Sequence, residues 1–423
     1  IFFRLKMSPK RDALPLTIDG TTYDVSAWVN HHPGGAQIIE NYRNRDATDV
    51  FMVMHSQQAL NKLKRMPVME PSSPLTPKSP SDDISEDFRK LRNSMVEKGM
   101  FNASPLFYVY KSLTTVALGA VGVLMVMYLQ WYYVSAMFLG LCYQQLGWVA
   151  HDYAHHQVFT NRDYGNLGGL FFGNVLQGYS LTWWKDRHNG HHAATNVQGH
   201  DPDIDNLPVL AWSPEDVKNA GPGTRNIIKY QQYYFLPTIA ILRFIWCFQS
   251  ILGVMSYKTD SKNLYYKRQY RREAAGLALH WILKSVFLFC YMPSFLTGLA
   301  FFLISECLGG FGIAIVVFLN HYPLDKVEES VWDGHGFCAG QILTTMNIQR
   351  GLITDWFFGG LNYQIEHHLW PNLPRHHLKA VSFEVEKLCQ KHNLPYRAPP
   401  MHTGVAQLLG YLGKIAQLAA VPV

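Results

Sequence analysis

No two of the six cysteines form a C-x-x-C pair, and four of the six lie in apolar stretches where a thiol behaves as a small hydrophobe. A disulfide-stapled fold is therefore not expected. No secretory signal is legible, because IFFRLK is too short an apolar stretch; the chain opens on Ile1, which leaves Met7 as a candidate start. Charge is missing altogether from Ser112 to Ala150, 39 residues without Asp, Glu, Lys or Arg. At about 1.5 Å per residue, half of that run crosses about 30 Å of hydrocarbon, so it reads as a hairpin of two spanning helices. The net charge of +6 is modest and spread along the chain, which argues against a nucleic-acid partner. Basic residues instead flank the apolar runs, Arg89 to Lys111 before the first and Lys267 to Arg272 before the second, as at a cytosolic membrane surface.

A second apolar tract, Ala274 to Asn320, is broken by Pro293 and carries Lys284 and Glu306. Splitting it predicts four spans, about 112–131, 132–150, 274–292 and 295–319. Ionisable side chains at mid-depth are expected to pair or to face a polar cavity, the alternative being that each lies nearer an interface. Segment 233–254 is long enough to span but holds Pro237, Arg243 and Gln249. Histidine clusters on both sides of it must meet on one side of the membrane, so it is placed as an amphipathic interfacial helix. Residues 12–66 form a small separate module, and 67–87 read as a Pro/Ser-rich linker, with Pro67, Pro71, Pro74, Pro77 and Pro80, that leaves the module's orientation free. Residues 88–423 form the membrane domain.

In the first module HPGG, residues 32–35, makes a tight turn that lets backbone approach a flat ligand, and His55 follows 23 positions after His32. Two such histidines can hold a haem iron from both faces, leaving no open position and so only one-electron transfer. HPGG by itself is equally a turn with a surface histidine. Together with YDVSAW before it and DAT after it, the stretch resembles cytochrome b5, and the resemblance implies His32 and His55 as axial ligands of haem b.

Three further clusters carry histidines at helical spacing: His151 and His155 in HDYAHH, His188, His191 and His192 in RHNGHH, and Gln364, His367 and His368 in QIEHH. A single histidine near a membrane is ordinarily a satisfied interfacial residue; three clusters beside predicted spans point to ligands converging on one site. So many imidazoles without thiolate exceed the needs of one ion and imply two, and a haem donor on the same chain favours iron over zinc. His321, after Asn320 at the end of the last span, is a further ligand candidate.

These motifs, with WWKDRHNGHH, DPDID and LNYQIEHHLWPNLPR, resemble membrane fatty-acid desaturases of the front-end type with an N-terminal cytochrome b5 domain. The resemblance implies a multidomain protein: a small α+β haem domain and an all-α four-helix transmembrane domain under a cytosolic di-iron cap. It maps the iron ligands onto His151, His155, His188, His191, His192, His321, His367 and His368, with His156 and His200 outside the set. Gln364 stands where other desaturases have a first histidine; a catalytic contribution is expected of it, its amide binding iron weakly or hydrogen-bonding an iron-bound water or a neighbouring imidazole.

The implied activity is O₂-dependent insertion of a cis double bond between an existing one and the carboxyl end of a polyunsaturated acyl chain, in the Δ6 or Δ5 class. Two non-haem irons and haem b are the implied cofactors, with O₂ as co-substrate and electrons from NADH through cytochrome b5 reductase. The substrate is an acyl-CoA or a phospholipid acyl chain, and the setting is the endoplasmic reticulum membrane with the clusters cytosolic. A sphingoid-base Δ8 desaturase or lipid hydroxylase shares the histidine pattern, and a membrane-anchored electron carrier is the reading from another class.

Overall fold

The computed structural model describes residues 13–70, 80–259 and 262–421. Met7, residue 12 at the expected edge of the first module and residues 71–79 of the expected linker lie outside them. The first module opens with β1 (Pro15–Ile18) and β2 (Thr21–Asp24), antiparallel with Pro15 opposite Asp24 and Ile18 opposite Thr21. Asp19 and Gly20 both take positive φ, as a two-residue hairpin turn of this twist requires. Three short helices follow: α1 (Ala36–Asn41), α2 (Thr48–Met54) and α3 (Gln57–Leu63). The chain then returns as β3 (Val68–Met69), which pairs with β2, so the module's sheet closes beyond residue 66.

Helix α4 (Pro80–Glu97) begins inside the expected 67–87 linker. It buries Ile84, Phe88 and Met95, and Phe88 stacks on Trp370 at 5.1 Å. The first module is docked rather than free. Tyr42 Oη donates to the Ala193 carbonyl at 2.8 Å, Asn263 Nδ2 donates to the His32 carbonyl at 2.8 Å, and Arg45 pairs with Glu329 and, at 3.3 Å, with Asp333.

The membrane region runs through α5 (Pro105–Leu124), extended to Leu129 by a wider π-type turn, and α6 (Tyr132–Ala154). Next come α7 (Arg162–Gly169), α8 (Leu181–Ala193), α9 (Pro214–Asn219), α10 (Pro222–Ile228), α11 (Gln231–Ile239) and α12 (Leu242–Thr259). The long helices α13 (Leu264–Tyr291) and α14 (Phe295–His321) lead into α15 (Glu329–Thr344), α16 (Leu352–Phe357), α17 (Gln364–Leu369), α18 (Arg375–Lys391) and α19 (Met401–Ala420).

Among the described residues three helices are long and apolar enough to cross a membrane, α5 with its extension, α13 and α14, and the bent pair α11–α12 makes a fourth if it is one span. Only α14 has most of its apolar stretch buried, 56% against 17% and 11%, so it is the inner helix. Expected span 132–150 falls in α6, which is long enough but not on that apolar footing, because Gln144, Gln145, His151 and Asp152 on it are buried in the interior. α13 also begins ten residues before the expected 274. Helices α6 and α14 approach closely where Gly140 faces Leu308 and the Ser305 carbonyl, a contact that small residues permit.

The expected single interfacial helix over 233–254 is instead a broken pair, α11 and α12, bent by 70°. Its Arg243 does not face outward. It is 2% exposed, and its Nε donates to Glu306 at 3.1 Å while Lys284 pairs with the same carboxylate. Lys284 and Glu306 thus meet as a buried pair, completed by an arginine from the broken segment.

Candidate metal centre and haem cavity

Helix α6 ends where His151 and His155 share a face, and α8 carries His188, His191 and His192 one turn further along its own. The short α17 presents His367 and His368, and α14 ends on His321. These elements bring all eight histidines together. His151, His155, His188 and His367 form one group and His191, His321 and His368 another, the candidate ligand atoms within each lying within 4.8 Å of one another. His192 sits between the two: its ring is 4.5 Å from that of His188 and stacks on that of His368 at 4.1 Å.

The residues fit metal ions. His151 Nε2, His155 Nε2, His192 Nδ1, His368 Nε2 and both ring nitrogens of His367 are buried without a hydrogen-bond partner. Unsatisfied buried polar atoms are costly, so so many in one place suit a group of ligands. Burial, with the neighbouring histidines adding repulsion, holds His188 and His192 well below the usual histidine range, leaving neutral imidazoles with free lone pairs.

Outer contacts fix the rings. His368 Nδ1 lies 2.9 Å from Gln341 Oε1 and 3.0 Å from Thr195 Oγ1, and His191 Nδ1 lies 2.9 Å from Asp201 Oδ2. Burial pulls His191 down, but the Asp201 carboxylate outweighs it and raises the imidazole above its ordinary value. Such carboxylate–histidine pairs set the tautomer and the basicity of a metal ligand.

Gln364 is buried beside this group. Its amide nitrogen lies 2.9 Å from His321 Nε2, and its oxygen accepts from Asn320 Nδ2 at 3.2 Å. Asn320 Nδ2 also donates to the Leu361 carbonyl at 2.8 Å, which fixes the asparagine amide and so turns the Gln364 NH₂ toward the histidines. A cavity of about 70 Å³ opens next to them, walled by Trp148, Tyr179, Trp184, Trp246, Ile313 and Val317. His156 and His200 stay outside the groups, beside Lys185 and Glu329 respectively.

In the first module His32 and His55 face one another, their Nε2 atoms 3.5 Å apart, and each Nδ1 lies near a backbone carbonyl, that of Gly35 at 2.8 Å or Phe51 at 3.2 Å. They open on a cavity of about 390 Å³ lined by Leu16, Val25, Ile38, Phe51 and Leu63, within the size typical of cofactor sites. Gly35 explains the second glycine of HPGG: its φ is +92°, and a Cβ there would collide with Asp186 of α8. Burial pushes His55 down to about 3, with His32 and Arg162 adding repulsion, and burial lowers His32 as well. The residues fit a haem held by two neutral imidazoles, and the lining of the cavity also includes His155 of the histidine group.

Residues 105–400 match the fatty acid desaturase family, and residues 5–100 match the cytochrome b5-like heme/steroid binding domain. The chain belongs to the fatty acid desaturase family. It is a front-end desaturase with a fused cytochrome b5 domain, an oxidoreductase whose two domains imply haem and iron. It is 61% identical to the Delta(8)-fatty-acid desaturase of Euglena gracilis over 98% of both chains. It is 37% and 36% identical to the Delta(5) fatty acid desaturase fat-4 and the Delta(6)-fatty-acid desaturase fat-3 of Caenorhabditis elegans, over 96% of each chain.

Sequence reasoning did not single out Thr195, Asp201 or Gln341, which hold the rings. Asp201 had a signal, since it opens the DPDID stretch soon after RHNGHH. Arg162 and Lys185 at the haem cavity had none, because the docking that brings them there joins distant parts of the chain.

Proposed function

We propose that this desaturase inserts a cis double bond on the carboxyl side of an existing one in a long polyunsaturated acyl chain, in an O₂-dependent reaction. The Δ8 position is favoured over Δ5 or Δ6 by the 61% identity to the Euglena gracilis enzyme, against 37% and 36% for the other two. One observation carries the reading: two groups of buried imidazoles, several with ring nitrogens that no hydrogen bond meets, border both a haem-sized cavity and a cavity walled by aromatic and aliphatic side chains.

His151, His155, His188 and His367 would hold one iron and His191, His321 and His368 the other, with His192 between them. Iron bound there supplies the oxidising power to take hydrogen from unactivated methylene carbon, which no side-chain base can do. The chain's own residues do the rest. Trp148, Tyr179, Trp184 and Trp246 hold acyl carbons beside the histidines and keep water out. Asp201, Gln341 and Thr195 keep the imidazoles oriented. Gln364 lies at the edge of this group, its amide within hydrogen-bond reach of whatever His321 Nε2 holds.

His32 and His55 would hold haem b for one-electron delivery, and His155, which walls both sites, makes the path between them short. Electrons from NADH through cytochrome b5 reductase, an acyl-CoA or phospholipid substrate, and an endoplasmic reticulum setting complete the proposal. Expression in a yeast lacking polyunsaturates, fed acyl chains that differ in the position of their first double bond, tests it. A new bond at Δ8 in fatty acids is expected; a hydroxyl product, or a bond only in long-chain bases, would overturn the reading.

A further inference from the structure

The haem cavity has two unlike walls. The first module supplies apolar side chains and the two facing imidazoles, whereas the desaturase domain supplies His156, Arg162, Asn166 and Lys185. Lys185 is 9% exposed, and its Nζ reaches only His156 Nε2 at 2.9 Å and Asn166 Oδ1 at 3.1 Å. Arg162 Nη2 donates to the Met54 carbonyl at 2.9 Å, which ties α7 to the end of α2 just before His55. Among the described residues neither cation has a carboxylate within ion-pair distance, and His156 Nδ1, also buried, has no partner. The other charged groups on the cavity are Lys62, which sits over Trp28 at 5.3 Å, and Asp163, exposed at the rim.

Two unpaired cations against an apolar cavity are costly unless an anion meets them. A haem brings two carboxylates on one edge of its ring. We propose that Arg162 and Lys185 bind the haem propionates, so that the desaturase domain completes the haem site and turns the charged edge of the haem toward itself. Arg162 suits one carboxylate through its planar fork and Lys185 the other as a compact charge, with His156 holding the lysine in place. The inference rests on the reading that His32 and His55 bind haem, and it makes the haem a cofactor shared by two domains.

The test uses the full-length chain in detergent, loaded either with haem or with its dimethyl ester, whose propionates carry no charge. Release to excess apomyoglobin and the midpoint potential are both read from the haem absorbance. With native haem, the R162Q/K185Q double variant is expected to release haem about tenfold faster or more, the scale of hydrogen bonds to charged groups. Its potential should fall, because cations near the ring favour the reduced form. R162K should recover part of both effects. With the diester, wild type and double variant should release the cofactor at the same rate, and only the direct effect of the two charges on the potential should remain. Equal effects of the substitutions on the release of both haems would mean a merely structural role, and no effect on either would place the propionates elsewhere; both results overturn the proposal. A wild-type chain that takes up no haem would overturn the underlying haem reading instead.

Discussion

Two buried polar clusters that share α14 have opposite characters. Deep in the bundle, Glu306 accepts from both Arg243 and Lys284, and Arg243 also donates to the Gln177 side chain and, at 2.9 Å, to its carbonyl. Nearer the end of the same α14, eight histidines crowd together and many of their ring nitrogens meet nothing. The first cluster is satisfied from within and joins α12, α13 and α14. The second is held in part by Asp201, Gln341 and Thr195 and still leaves buried ring nitrogens that nothing in the protein meets. Burying polar groups is costly in both places, and the difference in how that cost is met separates a structural cluster from a chemical one.

Substitutions should separate them in the same way. The largest effect is expected at the histidines: His188→Ala or His367→Ala should take desaturation to background and remove non-haem iron, while the chain accumulates at a near-normal level in membranes. Loss of the protein itself would break the comparison. Next comes Glu306→Ala, which leaves two buried cations unpaired and should cost about 3–5 kcal/mol of stability. A lower melting temperature with unchanged turnover per iron would place that cluster on the structural side; reduced turnover at normal stability would not.

Smaller effects test the supports. Asp201→Asn should weaken iron binding by about 10–100-fold and Gln364→Ala should lower turnover on the same scale, both with haem absorbance intact. Metal content read beside turnover separates the two, since Gln364 is a donor near the site rather than a ligand in this account.

Acidification needs no substitution. Burial holds His32 and His55 below their unfolded value, so their contribution to the stability of the first module is fully present above about pH 6.5. It should be lost as pH falls from there toward about 3, the value of His55. Haem retention, followed by absorbance, should fall over that window, and a module that held haem unchanged through it would contradict the burial of these rings.

Much of the candidate site was legible because side chains that share a helix face repeat at helical spacing and HPGG marks a tight turn. His151 with His155, His188 with His191 and His192, and His367 with His368 announce themselves within a few residues of one another. The pairing of Lys284 with Glu306 was legible too, since isolated charge at mid-depth demands a partner. Arg243 was not: in sequence it marks a polar face, and only the 70° bend between α11 and α12 carries it inside. The start of α4 at Pro80 was hidden by prolines that suggested a longer linker, although proline suits the first turn of a helix. The docking of the first module was hidden for a different reason. It rests on single contacts such as Tyr42 to Ala193 and Arg162 to Met54, each between residues more than a hundred positions apart.

The proposed site has eight histidines holding two irons. Metal analysis of the purified full-length chain against its haem absorbance tests it most directly. Two non-haem irons per haem are expected in the wild type and none in a His188→Ala/His191→Ala variant that keeps its haem. Iron equal to haem alone in the wild type would contradict it.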